Sequence, residues 1–329
     1  MKLYQQKYDE TLNKVKTVVT DSELPTILAD GDFSGNVDAE YTQTIVLGSH
    51  PRVTFAKQPD SSDDDPAVGL ALGTTATSQT IYNATVTFDK TVNFTHADSE
   101  GEDITLFGQK FTVGTATDDD EIVLFKSSQT VSLSIGGADP SSQSVTIDGK
   151  TYTVELVSSS DTSATVKVTD SSGTTESKEI NEAASKKIAG LEVAINRADE
   201  TNSQLTAEVT VGAQKVVLKH GDEVKVGSDA DPVDGTFVSF SNTSATGSHQ
   251  ISSITIITAA QDSDLDAVLP GKAYVDPVFG TFKLDFAGLN VGSDSTSRET
   301  LDIKASGNDK FSLKMMDHQD KEKTFVFIN

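Results

Sequence analysis

Thr151-Tyr-Thr-Val-Glu-Leu156 alternates outward-favouring polar residues with apolar or aromatic ones at every second position. The same period recurs in Thr85-Val-Thr-Phe-Asp89, Thr165-Val-Lys-Val-Thr169 and Ser253-Ile-Thr-Ile-Ile-Thr258. Such runs, rich in β-branched residues and separated by Gly, Asp and Ser clusters, are typical of half-buried antiparallel strands. Because no extended helical pattern alternates with them, the sequence predicts an all-β fold, or a β-rich one with one or two short helices. We expect multiple antiparallel β-sandwich, Ig-like modules.

The first 20 residues carry the clearest helical pattern in the chain. Tyr4, Tyr8, Leu12, Val15 and Val19 recur at intervals of three or four residues, so a helix would place them on one face. The spacing predicts a short amphipathic helix that either docks on its own domain or engages a neighbouring subunit.

Three segments of the chain begin with glycine and share a pattern at a constant spacing of 41 residues. Gly108-Gln-Lys-Phe-Thr-Val113 and Gly149-Lys-Thr-Tyr-Thr-Val154 agree closely, and Gly190-Leu-Glu-Val-Ala-Ile195 is a weaker copy. Each segment predicts a hairpin with a glycine in its turn, and the constant spacing indicates stacked β units. For this reason Glu176–Ile188, whose composition also suits a helix, is interpreted as strand.

The acidic run Asp60-Ser-Ser-Asp-Asp-Asp-Pro66 is the best linker candidate, because clustered charges repel one another and stay solvated. We therefore expect an N-terminal helix with an extended β segment over residues 1–66. A β-rich module with the repeated hairpins follows over 67–205, and a second β-rich module, truncated at its C-terminus, over 206–329.

The composition excludes several classes of function. The 329 residues include 26 Lys+Arg and 50 Asp+Glu, a formal net charge of −24, and neither cysteine nor tryptophan. Zero cysteines exclude disulfide scaffolds and thiol nucleophiles, and the negative charge disfavours nucleic acid as a partner. No stretch has the roughly 20 apolar residues of a membrane-spanning helix, so no membrane span is expected. The N-terminus does not resemble a leader, so either the protein stays in the cytosol or the sequence lacks the leader and C-terminal anchor of a longer exported protein. We expect the second.

No motif for catalysis is present: the five histidines are scattered, and no phosphate loop or Gly-x-Ser-x-Gly elbow occurs. We therefore expect no enzyme, no catalytic residues and no required cofactor, with an exported hydrolase as the remote alternative.

Calcium is the better chemical candidate. Residues 30–40 begin like a calcium loop, with oxygen-bearing side chains at alternate positions and Gly35 at the sixth. Tyr41 occupies the place of the usual bidentate Glu, so an Asp/Gly-rich hairpin turn is the alternative. The candidate ligands in this segment are Asp30, Asp32, Ser34, Asp38 and Glu40. Further carboxylates for a site shared between loops or subunits are Asp118, Asp120, Asp229 and Asp231.

Three sequons for N-glycosylation are present, at Asn83, Asn93 and Asn242. Such triplets also arise by chance in a chain rich in Ser and Thr, so they are candidate sites only.

Several segments taken together resemble archaeal surface-layer (S-layer) proteins, most of all the duplication-type family of methanogens and small uncultured archaea. The segments are Leu24-Pro-Thr-Ile-Leu-Ala-Asp-Gly-Asp-Phe-Ser-Gly-Asn36, Tyr41-Thr-Gln-Thr-Ile-Val-Leu-Gly48, Ile104-Thr-Leu-Phe-Gly-Gln-Lys-Phe-Thr-Val113, Val145-Thr-Ile-Asp-Gly-Lys-Thr-Tyr-Thr-Val-Glu-Leu156 and Asp276-Pro-Val-Phe-Gly-Thr-Phe-Lys-Leu-Asp-Phe286. The resemblance extends over most of the chain from about residue 24, although no single motif is specific. It implies an exported glycoprotein of β-sandwich modules that tiles a lattice, often with divalent cations. We do not expect the leader or the C-terminal anchor of that family within these residues, so the chain would be part of a usual S-layer protein or an unusually short variant.

The expected function is therefore that of an extracellular structural protein of the archaeal cell wall, acting by self-assembly into a surface lattice. The expected partner is the chain itself, with other envelope proteins and glycans as further candidates and calcium as a possible ion. The alternative is a cell-surface adhesin or carbohydrate-binding β-sandwich module.

Overall fold

Antiparallel strands make up nearly all of the regular structure in a computed structural model of the chain. It describes residues 6–57, 67–119, 121–126, 128–212, 214–242, 250–292, 296, 301–317, 319 and 321–328. The prediction of an all-β fold with several antiparallel sheets is confirmed. Within the described residues the only helix is one short 3-10 turn, Leu12–Lys14.

The strands fall into four consecutive groups along the chain. The first group is β1 (Val18–Val19), β2 (Gly31–Ser34), β3 (Asp38–Leu47), β4 (Arg52–Lys57), β5 (Ala67–Ala71), β6 (Tyr82–Val92), β7 (Asp103–Leu106), β8 (Gln109–Val113) and β9 (Glu121–Lys126). The second is β10 (Gln129–Ile135), β11 (Ser142–Ile147), β12 (Lys150–Ser159), β13 (Ser163–Thr169), β14 (Thr175–Asn181), β15 (Ala184–Ile188), β16 (Leu191–Thr201) and β17 (Gln204–Gly212). The third is β18 (Gln214–Lys219), β19 (Lys225–Val226), β20 (Asp231–Pro232), β21 (Thr236–Asn242), β22 (Ile251–Thr258), β23 (Ala267–Val268), β24 (Lys272–Val275) and β25 (Lys283–Phe286). The last is β26 (Asp302–Gly307), β27 (Lys310–Met316) and β28 (Glu322–Ile328).

The first and third groups form one body, although the second group separates them in the chain. Strands β1, β3, β6, β22 and β21 form one sheet, with β2 paired to β3. A second sheet has the order β20-β19-β18-β9-β8-β7, and two smaller sheets, β23-β5-β4 and β24-β25, complete the body. One continuous hydrophobic core joins all four sheets, with Phe33, Phe94 and Phe111 among its fully buried side chains.

The second group forms a β-sandwich that is inserted into the body, and we call it the inserted domain. Its sheets, β10-β17-β16-β15 and β11-β12-β13-β14, enclose a separate core. The insertion falls between β9 and β18, which pair with each other so that Lys126 lies opposite Gln214. The inserted domain therefore leaves and re-enters the body at one point of a continuous ladder.

Strand β9 is covered on both faces, which explains its unbroken apolar sequence. Ile122 and Leu124 belong to the core of the body, whereas Val123 and Phe125 pack with Ala194 of the inserted domain. Alternate residues of a strand point to opposite faces, so one strand serves both domains.

The three glycines at the 41-residue spacing each occupy the second position of a two-residue hairpin turn. Asp148 and Gly149 have φ of 49° and 75°, and Phe107–Gly108 and Ala189–Gly190 are nearly the same. Such type I′ turns match the twist of antiparallel strands and require positive φ at both positions, which favours glycine. The first hairpin lies in the body and the other two lie in the inserted domain. Residues 176–188, interpreted as strand, form most of β14 and all of β15.

The predicted N-terminal helix is wrong for residues 6–19. In that segment only the 3-10 turn and β1 form, and Tyr4 lies outside the described residues. Backbone bonds from Asp9 N to Val53 O (2.7 Å) and from Leu12 N to Pro51 O (2.7 Å) tie the segment to the chain around β4. These tertiary bonds replace helical ones, because a short isolated helix is only marginally stable in water.

The predicted linker, Asp60–Pro66, lies outside the described residues. The domain borders at 66 and 205 stay predictions. The two hydrophobic cores divide the chain at other positions. Residues on either side of the inserted domain share one core, while Leu205 packs against the other.

Candidate functional site

The segment that resembles a calcium loop forms the β2–β3 hairpin, with Asp32 opposite Glu40 and Ser34 opposite Asp38. Phe33, between the acidic positions, is fully buried in the core of the body. Ligands at alternate positions of a calcium loop have the same period as the outward positions of a strand. The sequence pattern is therefore equally that of a hairpin with one solvated face, and that is the local structure.

The other described carboxylate candidates are exposed and lie in or beside connections between strands. Asp30 immediately precedes β2, and Asp118 accepts a hydrogen bond from Glu121 N (3.0 Å) in the β8–β9 connection. Asp229 is exposed between β19 and β20, Asp231 is the exposed first residue of β20, and Asp120 lies outside the described residues. In the part of the chain that is described, no three His, Asp or Glu side chains come close enough together to hold a metal ion. Calcium stays a prediction without an assembled ligand set.

The sequons differ in their surroundings. Asn83 lies in β6, paired on both sides with β3 and β22, and its Oδ1 is buried without a hydrogen-bond partner. Asn93 follows β6, and its Oδ1 accepts bonds from Thr95 N (3.0 Å) and Thr95 Oγ1 (2.7 Å). Asn242 ends β21, and the rest of its sequon lies outside the described residues. Asn93 is the better-placed acceptor of the first two, and glycosylation stays a prediction.

Two polar clefts separate the body from the inserted domain. The larger, about 490 Å³, lies between the β7–β8 hairpin and strands β10 and β11. Its polar side chains bind one another: Asp103 accepts from Lys110 (2.6 Å) and Thr112 (2.6 Å), and Thr112 in turn accepts from Ser128 (2.6 Å). This chain of bonds ties the β7–β8 hairpin to Ser128, in the connection that leads into the inserted domain.

In the second cleft, about 340 Å³, a buried carboxylate bridges the same two domains. Glu192 of the inserted domain accepts hydrogen bonds from Ser228 N (3.2 Å) and Ser228 Oγ (2.5 Å) of the body. Both clefts are therefore crossed or lined by groups that hold the inserted domain in place.

The buried carboxylate of Asp276 is a position that the sequence pattern did not mark as a site. It accepts hydrogen bonds from Tyr82 Oη, Phe279 N (2.5 Å) and Gly280 N (3.0 Å). Burial raises the pKa of Asp276, and these hydrogen bonds oppose the rise. Burial likewise raises the pKa of Tyr82 well above its usual value. The signal was Asp-Pro followed by Gly280, which is typical of a turn stabilised by an aspartate side chain. Through these contacts, Asp276 holds the β24–β25 hairpin against the rest of the body.

The last three strands form a sheet of their own in the order β26-β27-β28, which we call the C-terminal sheet. Its register places Ile303, Leu313 and Phe325 in one row and Ala305, Phe311 and Phe327 in the next, all on one face. Met315 continues that face opposite Lys323, which lies at its end and pairs with Asp317 (3.6 Å). The seven apolar residues define the apolar face. The rings of Phe311 and Phe327, which lie opposite each other on neighbouring strands, stack with their centroids 4.9 Å apart.

The apolar face is open to solvent. Ile303 is 69% exposed, and the three phenylalanines are between 44% and 48% exposed. None of the seven residues belongs to either hydrophobic core. A set of large apolar side chains grouped on one surface marks an interaction site in soluble proteins.

The opposite face of the C-terminal sheet is largely polar. It carries Lys304, Ser312, Lys314, Glu322 and Thr324, with Lys314 paired to Glu322 at 2.7 Å. Two apolar residues, Met316 and Val326, share this face. The sheet is thus amphipathic, with the pattern of one layer of a β-sandwich.

The acidic charge of the protein does not extend to this sheet. Residues 301–329 contain five lysines and five carboxylates, whereas residues 1–300 contain 21 basic and 45 acidic residues. The candidate site is therefore an electroneutral apolar surface on a strongly acidic protein.

Within the described residues, no helix has the length and hydrophobicity needed to cross a lipid bilayer. Comparisons of the chain with protein-family models, with curated proteins and with solved structures find no match.

Proposed function

We propose that the protein is an extracellular structural subunit that assembles with copies of itself into a lattice on the archaeal cell surface (an S-layer). The single observation that carries this proposal is the apolar face of the C-terminal sheet. Exposed apolar surface is unfavourable in water by about 25 cal/mol per Å², so a face of this kind indicates a partner. The resemblance of several sequence segments to S-layer proteins suggests that the partner belongs to an assembly of identical subunits.

The acidic surface gives calcium a role in such an assembly. Copies that each carry a net charge of −24 repel one another, and this repulsion extends over about 8–10 Å at physiological salt. Divalent cations between neighbouring carboxylates would reduce it and would favour the assembled state. This role needs no single high-affinity site.

Negative-stain electron microscopy with and without calcium tests the proposed function. We expect sheets or tubes at tens of micromolar protein in calcium, and dispersed particles when a chelator is added. Sodium chloride at matched ionic strength is the control that separates bridging by divalent ions from simple screening. A protein that stays monomeric in every condition would contradict the proposal.

One observation favours the alternative, a carbohydrate-binding adhesin. In the sheet that contains β3, β6, β22 and β21, the outer face carries Ser or Thr at eight neighbouring positions on these four strands, although these residues make up less than a quarter of the chain. The register gives the two rows Thr42–Thr87–Ser253–Ser241 and Thr44–Thr85–Thr255–Ser239. The hydroxyls of Thr85 and Thr255 lie 3.0 Å apart. Each hydroxyl both donates and accepts, as sugar hydroxyls require. Retention on a glycan array that Thr85→Val abolishes would favour this function.

A further inference from the structure

The C-terminal sheet has the form of one half of a β-sandwich. In the inserted domain, two amphipathic four-stranded sheets cover each other, so that Val154 and Val209 are fully buried between them. The C-terminal sheet has the same alternation of apolar and polar faces, but no described residue forms a second layer over its apolar face. Two packed sheets lie about 10 Å apart, which leaves room for one interdigitated layer of side chains from each.

We propose that the second layer is the same sheet of another copy, so that two C-terminal sheets pack apolar face to apolar face and form a six-stranded sandwich. This inference rests on the proposed function and names one of its contacts. The contact is isologous, with a two-fold axis near Leu313 on the central strand.

The charge distribution favours a second copy of this sheet over other surfaces. The first 300 residues of a neighbouring copy are acidic, and the electroneutral C-terminal sheet has no net positive charge to attract them. The apolar face offers no such attraction to a strongly charged partner of either sign. Two electroneutral sheets can approach without the repulsion that separates the acidic bodies.

The area of the face predicts a weak contact. The exposed fractions of Ile303 and the three phenylalanines, applied to side chains of 150–250 Å², leave roughly 300–500 Å² of apolar surface per copy. Pairing would then bury roughly 600–1,000 Å², at or below the lower limit for a stable specific interface. Interfaces of this size are weak or transient, which suits a contact that is repeated many times in an assembly.

Adjacent residues on β28 provide a matched pair of variants. Phe325 lies on the apolar face and Val326 on the opposite face, and they are 48% and 56% exposed. Sedimentation velocity from 1 to 200 µM, in chelator, measures dimer formation. We expect Phe325→Lys to weaken dimerisation at least tenfold and Val326→Lys to leave it within twofold of the wild type. Equal effects of the two substitutions, or a monomeric wild type at 200 µM, would overturn the proposal. Thermal melts check that both variants are folded.

Cross-linking tests the two-fold symmetry. The chain contains no cysteine, so Leu313→Cys introduces a single thiol close to the expected axis. A short bismaleimide should join two copies of this variant, while Ser312→Cys, on the other face of β27, should not react in this way. A cross-link in the Ser312→Cys variant alone, or in neither variant while Phe325→Lys still weakens association, would mean that the sheet does not meet its own copy.

Microscopy of the same variants separates this inference from the proposed function. Sheets formed equally well by Phe325→Lys would leave the proposed function standing and would refute the contact. If the wild type forms dimers but never larger assemblies in calcium, the contact would stand and the proposed function would be refuted.

Discussion

Asp276 is the carboxylate whose chemistry is most altered by the fold. It is almost completely buried, and three hydrogen bonds replace the water that it loses on folding. Its pKa is nevertheless raised, which means that the desolvation of the charged form outweighs the hydrogen bonds. The charged form of Asp276 therefore reduces the stability of the fold at neutral pH, although its hydrogen bonds hold the β24–β25 hairpin against Tyr82 of β6.

The pH dependence of stability tests this balance. A raised folded-state pKa contributes stability that is fully present below the ordinary carboxyl range, about pH 4, and is lost as pH rises through the folded-state value. We expect the free energy of unfolding of Asp276→Asn, relative to wild type, to improve steadily between about pH 4 and 7. Urea denaturation at several pH values measures the difference.

Asp170 supplies a control of opposite sign. Hydrogen bonds from the Ser172 hydroxyl and from the Thr174 and Ser172 backbone lower its pKa, so its contribution is present at neutral pH and is lost as pH falls. The free energy of unfolding of Asp170→Asn, relative to wild type, should therefore decrease as pH rises. If the two variants follow the same trend, the assignment of Asp276 as a desolvated charge is wrong.

At the scale of strands and turns, the sequence predicted what is local. Period-two alternation identified the strands around residues 85, 151, 165 and 253, and turn glycines located three hairpins. The N-terminal helix failed because Asp9 and Leu12 bond to backbone about 40 residues away, which no local pattern records. The calcium interpretation was ambiguous for a geometric reason, since loop ligands and outward strand residues share one period.

The hairpin turn at Gly149 gives a prediction at this scale. Its φ is 75°, and a Cβ added there would meet no atom within 4 Å, so only backbone strain opposes a side chain. Gly149→Ala should cost about 1 kcal/mol of unfolding free energy. Gly149→Asn should cost less, because Asn tolerates the left-handed region. Chemical denaturation measures both, and a larger loss for Asn than for Ala would contradict the type I′ assignment.

At the scale of the whole molecule, neither the insertion nor the candidate surface could be foreseen. The pairing of β9 with β18 joins residues separated by the entire inserted domain, and sequence alternation gives no information on such distant partners. The amphipathic pattern of residues 302–328 looks like that of any half-buried strand. Only the assembled fold shows that its apolar face has no cover among the described residues.

The hydrogen bonds between Glu192 and Ser228 predict how firmly the two domains are coupled. Glu192→Ala removes both bonds across the cleft, so we expect faster amide exchange at Ser228 and a broader range of interdomain distances in small-angle scattering. Glu208→Ala is the control, because Glu208 bonds to Asn196 within the inserted domain. Unchanged exchange at Ser228 in the first variant would show that the apolar contact around Phe125 suffices to hold the domains together.

The inserted domain begins and ends at one rung of the ladder between Lys126 and Gln214. Because the two ends of the insertion lie so close together, the strands of the body can keep their pairing whatever connects these ends: a longer domain, a different domain or a short loop. Evolution could therefore vary this projection from one lineage to another while every strand around it kept its neighbours. The same property makes the position a natural point for grafting a foreign protein.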